Sequence, residues 1–251
     1  MDIDERMNRE PHLLAFQRVE GRAGVLLDFD GTLSPIVARP ELAKIRDGAR
    51  EAIARLVGRY AVVAVVSGRT PAQLRELIDI EGVVLAGLYG MGDDTRDLAP
   101  SVIAPVIDAA ARVPGTRVER KGGSIAVHFR GADDPRAAEA LLHGLLGPIA
   151  RDADLEIIGG KKVLELVPAG RPLKGGAVDR IVQEAGLDAV LYAGDDLADV
   201  RAFATLDRLA AKGAVTVKVA VHGSETPSEL TDAADVVVDG PAGLVGLLRR
   251  L

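Results

Sequence analysis

Apolar residues in this chain fall into two regimes. In the first they run continuously: Val25-Leu26-Leu27, Ala61-Val62-Val63-Ala64-Val65-Val66 and Val83-Val84-Leu85-Ala86. Strands without polar alternation belong to sheets covered on both faces, typically parallel ones, so strands are predicted at 25–29, 61–66 and 83–86. Between them, residues 47–57 place Ala49, Ile53, Leu56 and Val57 on one side of a helix, and Pro71 opens another to residue 78. Residues 11–19 form a short leading helix, with Leu13, Leu14 and Phe16 apolar.

The second regime occupies residues 93–170. Its pattern predicts a helix at 100–113, strands at 116–120 and 124–130, a helix at 135–150, and strands at 154–158 and 162–167. Gly122-Gly123 and Gly159-Gly160 are the expected hairpin turns, and hairpin pairing implies an antiparallel sheet. Two α-β-β units in succession amount to a weak internal repeat with helices on one side of the sheet. The first regime resumes at residue 174, with helices at 175–185, 197–206 and from 241, and strands at 189–193, 216–221 and 236–238. The fold class is therefore α/β: a parallel sheet flanked by helices, built from residues 1–92 and 171–251, with a smaller α+β unit with an antiparallel sheet, 93–170, inserted into it.

Four polar segments fall at strand ends of the first regime. In open parallel sheets that edge is where ligands sit. The first is Asp28-Phe29-Asp30-Gly31-Thr32. Residues two apart on a strand face one way, so if the strand persists the two carboxylates share one space. Like charges there resist joint ionisation, and a cation such as Mg²⁺ between them relieves it. The second segment is Ser67-Gly68-Arg69, the third Lys174, and the fourth Gly194-Asp195-Asp196-Leu197-Ala198-Asp199. Taken singly, the aspartates of the first segment, Ser67, Asp195 and Asp196 also read as helix caps. Lys174 at a helix N-terminus opposes the macrodipole and makes sense beside an anion. Together the four supply carboxylates for a metal and a hydroxyl and an ammonium for an anion.

Composition narrows the picture. The chain has 251 residues, 48% hydrophobic but only 3% aromatic, so its core must be built from Ala, Val, Leu and Ile. A net charge of −6 argues against a nucleic-acid binder. The absence of cysteine excludes disulfides and thiolate chemistry and fits a reducing compartment. The first fourteen residues do not read as a secretory signal, and no run of about 18 apolar residues predicts a membrane span. A cytoplasmic protein with no membrane partner is expected. The four histidines show no metal-ligand pairing and read as ordinary surface or insert structure, and neither a P-loop nor a nucleophile elbow is present.

The ordered set of four segments resembles the haloacid-dehalogenase superfamily of phosphotransferases, over nearly the whole chain. That resemblance implies an HAD-like Rossmannoid core in which Asp28 is a nucleophile that forms an aspartyl-phosphate and Asp30 is the general acid and base. It further implies that Thr32, Ser67, Gly68 and Lys174 hold phosphoryl oxygens. Mg²⁺ is then bound by Asp28, the main-chain carbonyl of Asp30, and Asp195, with Asp196 and Asp199 supporting. Within the superfamily, residues 118–130 (VERKGGSIAVHFR), 160–168 (GKKVLELVP) with Lys174-Gly175, and 192–199 (YAGDDLAD) resemble the trehalose-6-phosphate phosphatase family. The implied substrate contacts are Glu119, Lys121, Arg130 and Glu165 in a substrate-specificity cap, with Arg69 and Tyr89 in the core. Solvated cross-strand charge pairs are the other reading of the four cap residues. The family often carries a histidine and an acid in the turn after the third strand, where this chain has Tyr89 and Gly92. Other sugar phosphates, such as sucrose 6-phosphate, therefore stay open as substrates; a third reading, a non-catalytic sugar-phosphate-binding subunit of a synthase complex, is opposed by the intact Asp28, Asp30, Lys174 and Asp195. A monomer, associating with the synthase that makes the sugar phosphate, is the expected assembly. Crossings near Gly92 and Gly170 are expected to let the cap hinge.

Overall fold

In a computed structural model, residues 11–19, 21–37, 39–90, 97–170 and 173–251 are described. In chain order the elements are α1 (Pro11–Gln17), β1 (Ala23–Leu27), α2 (Ala49–Val57), β2 (Val62–Val66), α3 (Pro71–Ile78), β3 (Val83–Ala86) and α4 (Pro100–Ala111). Next come β4 (Arg117–Arg120), β5 (Ile125–His128), α5 (Pro135–Asp152), β6 (Leu155–Gly160) and β7 (Val163–Pro168). The chain closes with α6 (Lys174–Ala185), β8 (Ala189–Gly194), α7 (Leu197–Ala210), β9 (Val215–His222), α8 (Ser228–Asp232), β10 (Val236–Asp239) and α9 (Gly240–Leu248). It divides into two units, Met1–Gly92 with Pro172–Leu251, and Asp93–Arg171.

The first unit is a six-stranded sheet in the order β10-β9-β8-β1-β2-β3, with every neighbouring pair parallel. The continuous apolar runs follow from its two covered faces. Val25 and Leu27 pack into one hydrophobic cluster with Ile53, Leu56 and Leu247, while Leu26 packs into another with Val178, Phe203 and Leu206. All the strands run the same way, so their carboxyl ends form one edge.

The second unit is a four-stranded antiparallel sheet, β4-β5-β7-β6. Its Ile125, Val127, Leu164 and Leu166 pack against Val106, Leu142 and Leu146 of α4 and α5. Strand register then sets Glu119 beside Ala126, and Ala126 beside Glu165, on the opposite face.

One turn differs from expectation. Gly159 and Gly160 are paired with Leu164 and Val163 inside β6, and Lys161-Lys162 makes the turn, with Lys162 left-handed at φ 58°. Leu164 and Leu166 must face the helices, and that fixes the register against the intrinsic preference of a Gly-Gly pair. The crossings at 91–96 and 171–172, including Gly92, lie outside the described residues. Among the described residues no helix is long and apolar enough to cross a membrane.

Candidate active site

The strand β1 stops at Leu27, one residue short of the first carboxylate, but its ladder continues: Asp28 N–H donates to the Ala193 carbonyl of β8 at 2.9 Å. Phe29 is buried in the core, and Gly31, at φ 87°, turns the chain so that Phe29 O accepts from Leu33 and Ser34. A β-carbon is disfavoured at that φ, which accounts for the glycine between Asp30 and Thr32. The two aspartates consequently part company. Asp28 is buried; Asp30 has a side chain 39% exposed and lies in the grip of Arg69.

Around Asp28 the groups converge from two strand ends, those of β1 and β8, and from the first turns of α6 and α7. Thr32 Oγ1 donates toward Asp28 Oδ2 at 3.2 Å and lies 3.4 Å from Asp195 Oδ1. Lys174, the first residue of α6 and itself buried, places Nζ 2.7 Å from Asp28 Oδ1 and 2.7 Å from Asp199 Oδ1. Asp199 also accepts from Tyr192 Oη at 2.6 Å and from the Asp195 and Asp196 amides at 2.9 Å each. Four donors therefore saturate it, which makes it an anchor for the lysine. Gly194 is what lets this carboxylate in, since a β-carbon there would lie 2.2 Å from Asp199 Cγ.

Electrostatics follow from burial. Desolvation pushes Asp28 up to about 7 against the lowering pull of Lys174, and Asp199 adds to the rise. Burial alone favours a neutral Lys174, but Asp199 and Asp28 together outweigh it and hold the ammonium above its usual range. Tyr192 is pushed well above the ordinary phenol value, first by burial and then by Asp199. Asp28, Asp195 and Asp199 bring ligand atoms within 4.8 Å of one another, all buried, with Lys174 the buried cation touching two of them. Three carboxylates against one ammonium leave excess negative charge, and the all-oxygen donor set suits a hard divalent cation.

The remaining core residues fall as follows. Ser67 is buried at the end of β2, its hydroxyl accepting from Arg69 N–H at 3.3 Å; the cap of α3 is Thr70, in a capping box with Gln73. Asp196 is the N-cap of α7, so the helix-cap reading holds for it and not for its neighbour Asp195. Leu88 and Tyr89 are both left-handed, at φ 49° and 56°. They turn their amides back onto the carbonyls of Arg69 (2.8 Å) and Ser67 (2.9 Å), and the Tyr89 hydroxyl lies where a side chain on Gly68 would be, 2.6 Å from its β-carbon position. Arg69, expected on the substrate, has its guanidinium on Asp30.

In the second unit, the expected residues make local polar pairings on and beside the four-stranded sheet. His128 Nε2 is 2.8 Å from Glu119 Oε2. Glu165 is bonded by Ser124 Oγ at 2.6 Å and Lys121 Nζ at 3.1 Å, and Arg130 Nη2 donates to the Lys161 carbonyl at 3.1 Å. Sequence reading passed over three participants: Tyr192, Ser124 and His128. Tyr192 looks like core filling in an apolar strand, whereas His128 shares the face of Ala126 by strand alternation, next to Glu119, and was legible by that signal.

A family model described as trehalose-phosphatase matches residues 26–97 and 93–237. Over 275 residues the chain is 30% identical to a trehalose-phosphate phosphatase of Mycobacterium avium, covering 99% of this chain and 68% of the relative. It is 36% identical over 203 residues to an uncharacterized glycosyl hydrolase of Mycobacterium tuberculosis; that match covers 72% of this chain and only 15% of the much longer relative. The C-terminal domain of a Candida albicans trehalose-6-phosphate phosphatase superposes with a TM-score of 0.79 at 25% identity, covering 96% of this chain and 97% of that one.

Proposed function

The chain belongs to the trehalose-phosphatase family, and from that membership we propose that it is a Mg²⁺-dependent phosphatase that hydrolyses trehalose 6-phosphate to trehalose and phosphate. The observation that carries the reading is Asp28. A buried carboxylate is held by Lys174 and Thr32 at the carboxyl edge of the sheet, beside a second buried carboxylate, Asp195. In this reading Asp28 attacks phosphorus and forms an aspartyl-phosphate as the sugar oxygen leaves, and Asp30 delivers the proton to that oxygen. Water then attacks phosphorus, Asp30 takes its proton, and the bond to Asp28 breaks. Thr32, Ser67, Gly68 and Lys174 hold the phosphoryl oxygens. Asp28, Asp195 and the main-chain carbonyl of Asp30 would hold Mg²⁺, whose charge allows a carboxylate to meet a phosphate dianion. Asp199 and Asp196 support the site, the first through Lys174 and the second by capping α7.

Glu119, Lys121, Arg130 and Glu165 present donors and acceptors of the kind that sugar hydroxyls need, with Tyr89 beside the phosphate loop. Tyr89 in place of the family's usual histidine favours one second reading, the same chemistry on another glycosyl phosphate such as sucrose 6-phosphate. A panel of sugar phosphates decides: trehalose 6-phosphate is expected to give the highest kcat/KM, and a clearly higher value for another sugar selects the second reading. Turnover is expected to vanish on chelation of Mg²⁺.

A further inference from the structure

Arg69 and Asp30 form a two-pronged ion pair at the carboxyl edge of the sheet, and the proposed chemistry leaves the arginine without a task. Arg69 Nε is 2.7 Å from Asp30 Oδ2 and Nη2 is 2.7 Å from Oδ1, a two-pronged contact that sets both the plane and the direction of the carboxylate. The arginine is the fixed partner. Its side chain is only 9% exposed, its guanidinium lies 5.2 Å over the Phe29 ring, and Nη2 also donates to the Pro40 carbonyl at 3.1 Å. Its main chain is fixed as well, because Arg69 N–H donates to Ser67 Oγ and Arg69 O accepts from the left-handed Leu88. A non-glycine residue at positive φ persists only where surrounding structure enforces it, and two in succession here serve to hold this loop. Asp30, at 39% side-chain exposure, is the partner with room to move.

We propose that Arg69 is a positioning residue for Asp30, and that it does not recognise the sugar. The inference rests on the proposed role of Asp30 as acid and base. A half-exposed aspartate on a turn has several rotamers in water; the guanidinium fork selects one and occupies one lone pair on each oxygen. A carboxylate offers about four such sites, so acceptor capacity is left for the proton of the attacking water. In the second half-reaction the water oxygen bonds to phosphorus, the bond from phosphorus to Asp28 breaks, and the water proton goes to Asp30. Misplacement of the base by about 1 Å costs on the order of 10²-fold in rate.

The test is a cycle of Arg69→Gln, Asp30→Asn and the double variant, with Arg69→Lys as the conservative control. Steady-state trehalose 6-phosphate hydrolysis and the first-turnover burst with p-nitrophenyl phosphate, whose leaving group needs no acid, are measured for each. Arg69→Gln is expected to lower kcat about 10²-fold with KM within about threefold of wild type, to show a p-nitrophenolate burst and to accumulate phosphorylated protein. Arg69→Lys, a point charge without the fork, is expected to recover part of kcat. In the Asp30→Asn background the Arg69 substitution is expected to have no further effect. A raised KM with kcat unchanged, or an undiminished effect of Arg69→Gln in the Asp30→Asn background, would overturn the proposal while leaving the phosphatase reading intact. Full activity of Asp30→Asn itself would instead remove the role of Asp30, and the proposal with it. Thermal unfolding of Arg69→Lys and Arg69→Gln is the control, with Tm expected near that of the unsubstituted protein.

Discussion

The carboxyl edge of the six-stranded sheet and the polar face of the four-stranded sheet are both rich in charge, but they balance it differently. At the core edge Asp28, Asp195 and Asp199 are buried with Lys174, and the sum is negative. On the four-stranded sheet the two carboxylates of the polar face have partners at hand: Glu119 has His128, and Glu165 has Lys121 and Ser124. The first arrangement is incomplete without an added cation and so is suited to charged chemistry. The second is balanced within itself, with donors and acceptors in fixed places, as recognition of neutral hydroxyls requires. In the proposed reading the same residue types serve a metal-dependent site in one place and a recognition surface in the other, because burial without compensation is what creates the demand for a cation.

Substitutions can break this comparison, and the largest effect is expected at Asp28. Asp28→Asn should lower turnover by about 10³-fold or more, measured as phosphate release, because no other described carboxylate combines its burial with direct contact to Lys174 and Thr32. Its fold should survive, since the amide relieves a desolvated charge. Lys174→Met comes next: it removes the buried ammonium that touches both Asp28 and Asp199 and is expected to destabilise the metal-free protein by about 3 kcal/mol in denaturant unfolding. The matching cap change, Lys121→Met, leaves Glu165 with Ser124 and should cost about 1.5 kcal/mol. Equal losses for the two lysines would erase the distinction drawn between the sites.

A pH series sharpens it further. Asp28 has its carboxyl raised from 3.8 to about 7 in the metal-free fold, so the folded state binds the extra proton between those values. Its contribution to stability is full below about pH 4 and is lost as pH rises through about 7. Mg²⁺ must displace that proton to bind, so the gain in Tm on adding Mg²⁺ should widen from pH 5 to pH 8. A gain independent of pH would place the cation elsewhere. The smallest effect is expected in the cap, where Glu119→Gln should raise KM for trehalose 6-phosphate about tenfold with kcat nearly unchanged.

Much of the core was legible in the sequence because its signals are local. Continuous β-branched runs announce strands covered on both faces, and polar residues at their ends announce a ligand edge. What escaped were the pairings made across the fold. Arg69 and Asp30 are joined between two strand ends by a long side chain, and residue type alone points the arginine at a substrate. Tyr192 lies in an apolar run, and only its hydroxyl, aimed at Asp199, separates it from core filling. The Gly159-Gly160 pair misled because local turn preference was overruled by leucines that have to face two helices.

The central claim is that Asp28 itself carries the phosphoryl group. Rapid quenching of the Mg²⁺-loaded protein with trehalose 6-phosphate, followed by borohydride reduction and peptide mass analysis, tests it directly, because an acyl phosphate on aspartate is reduced to homoserine. The account predicts homoserine at position 28, dependent on substrate, and enriched in Asp30→Asn when p-nitrophenyl phosphate, whose leaving group needs no acid, replaces the sugar phosphate. An unmodified Asp28 while turnover proceeds, or a phosphoryl group trapped on another residue, would contradict it.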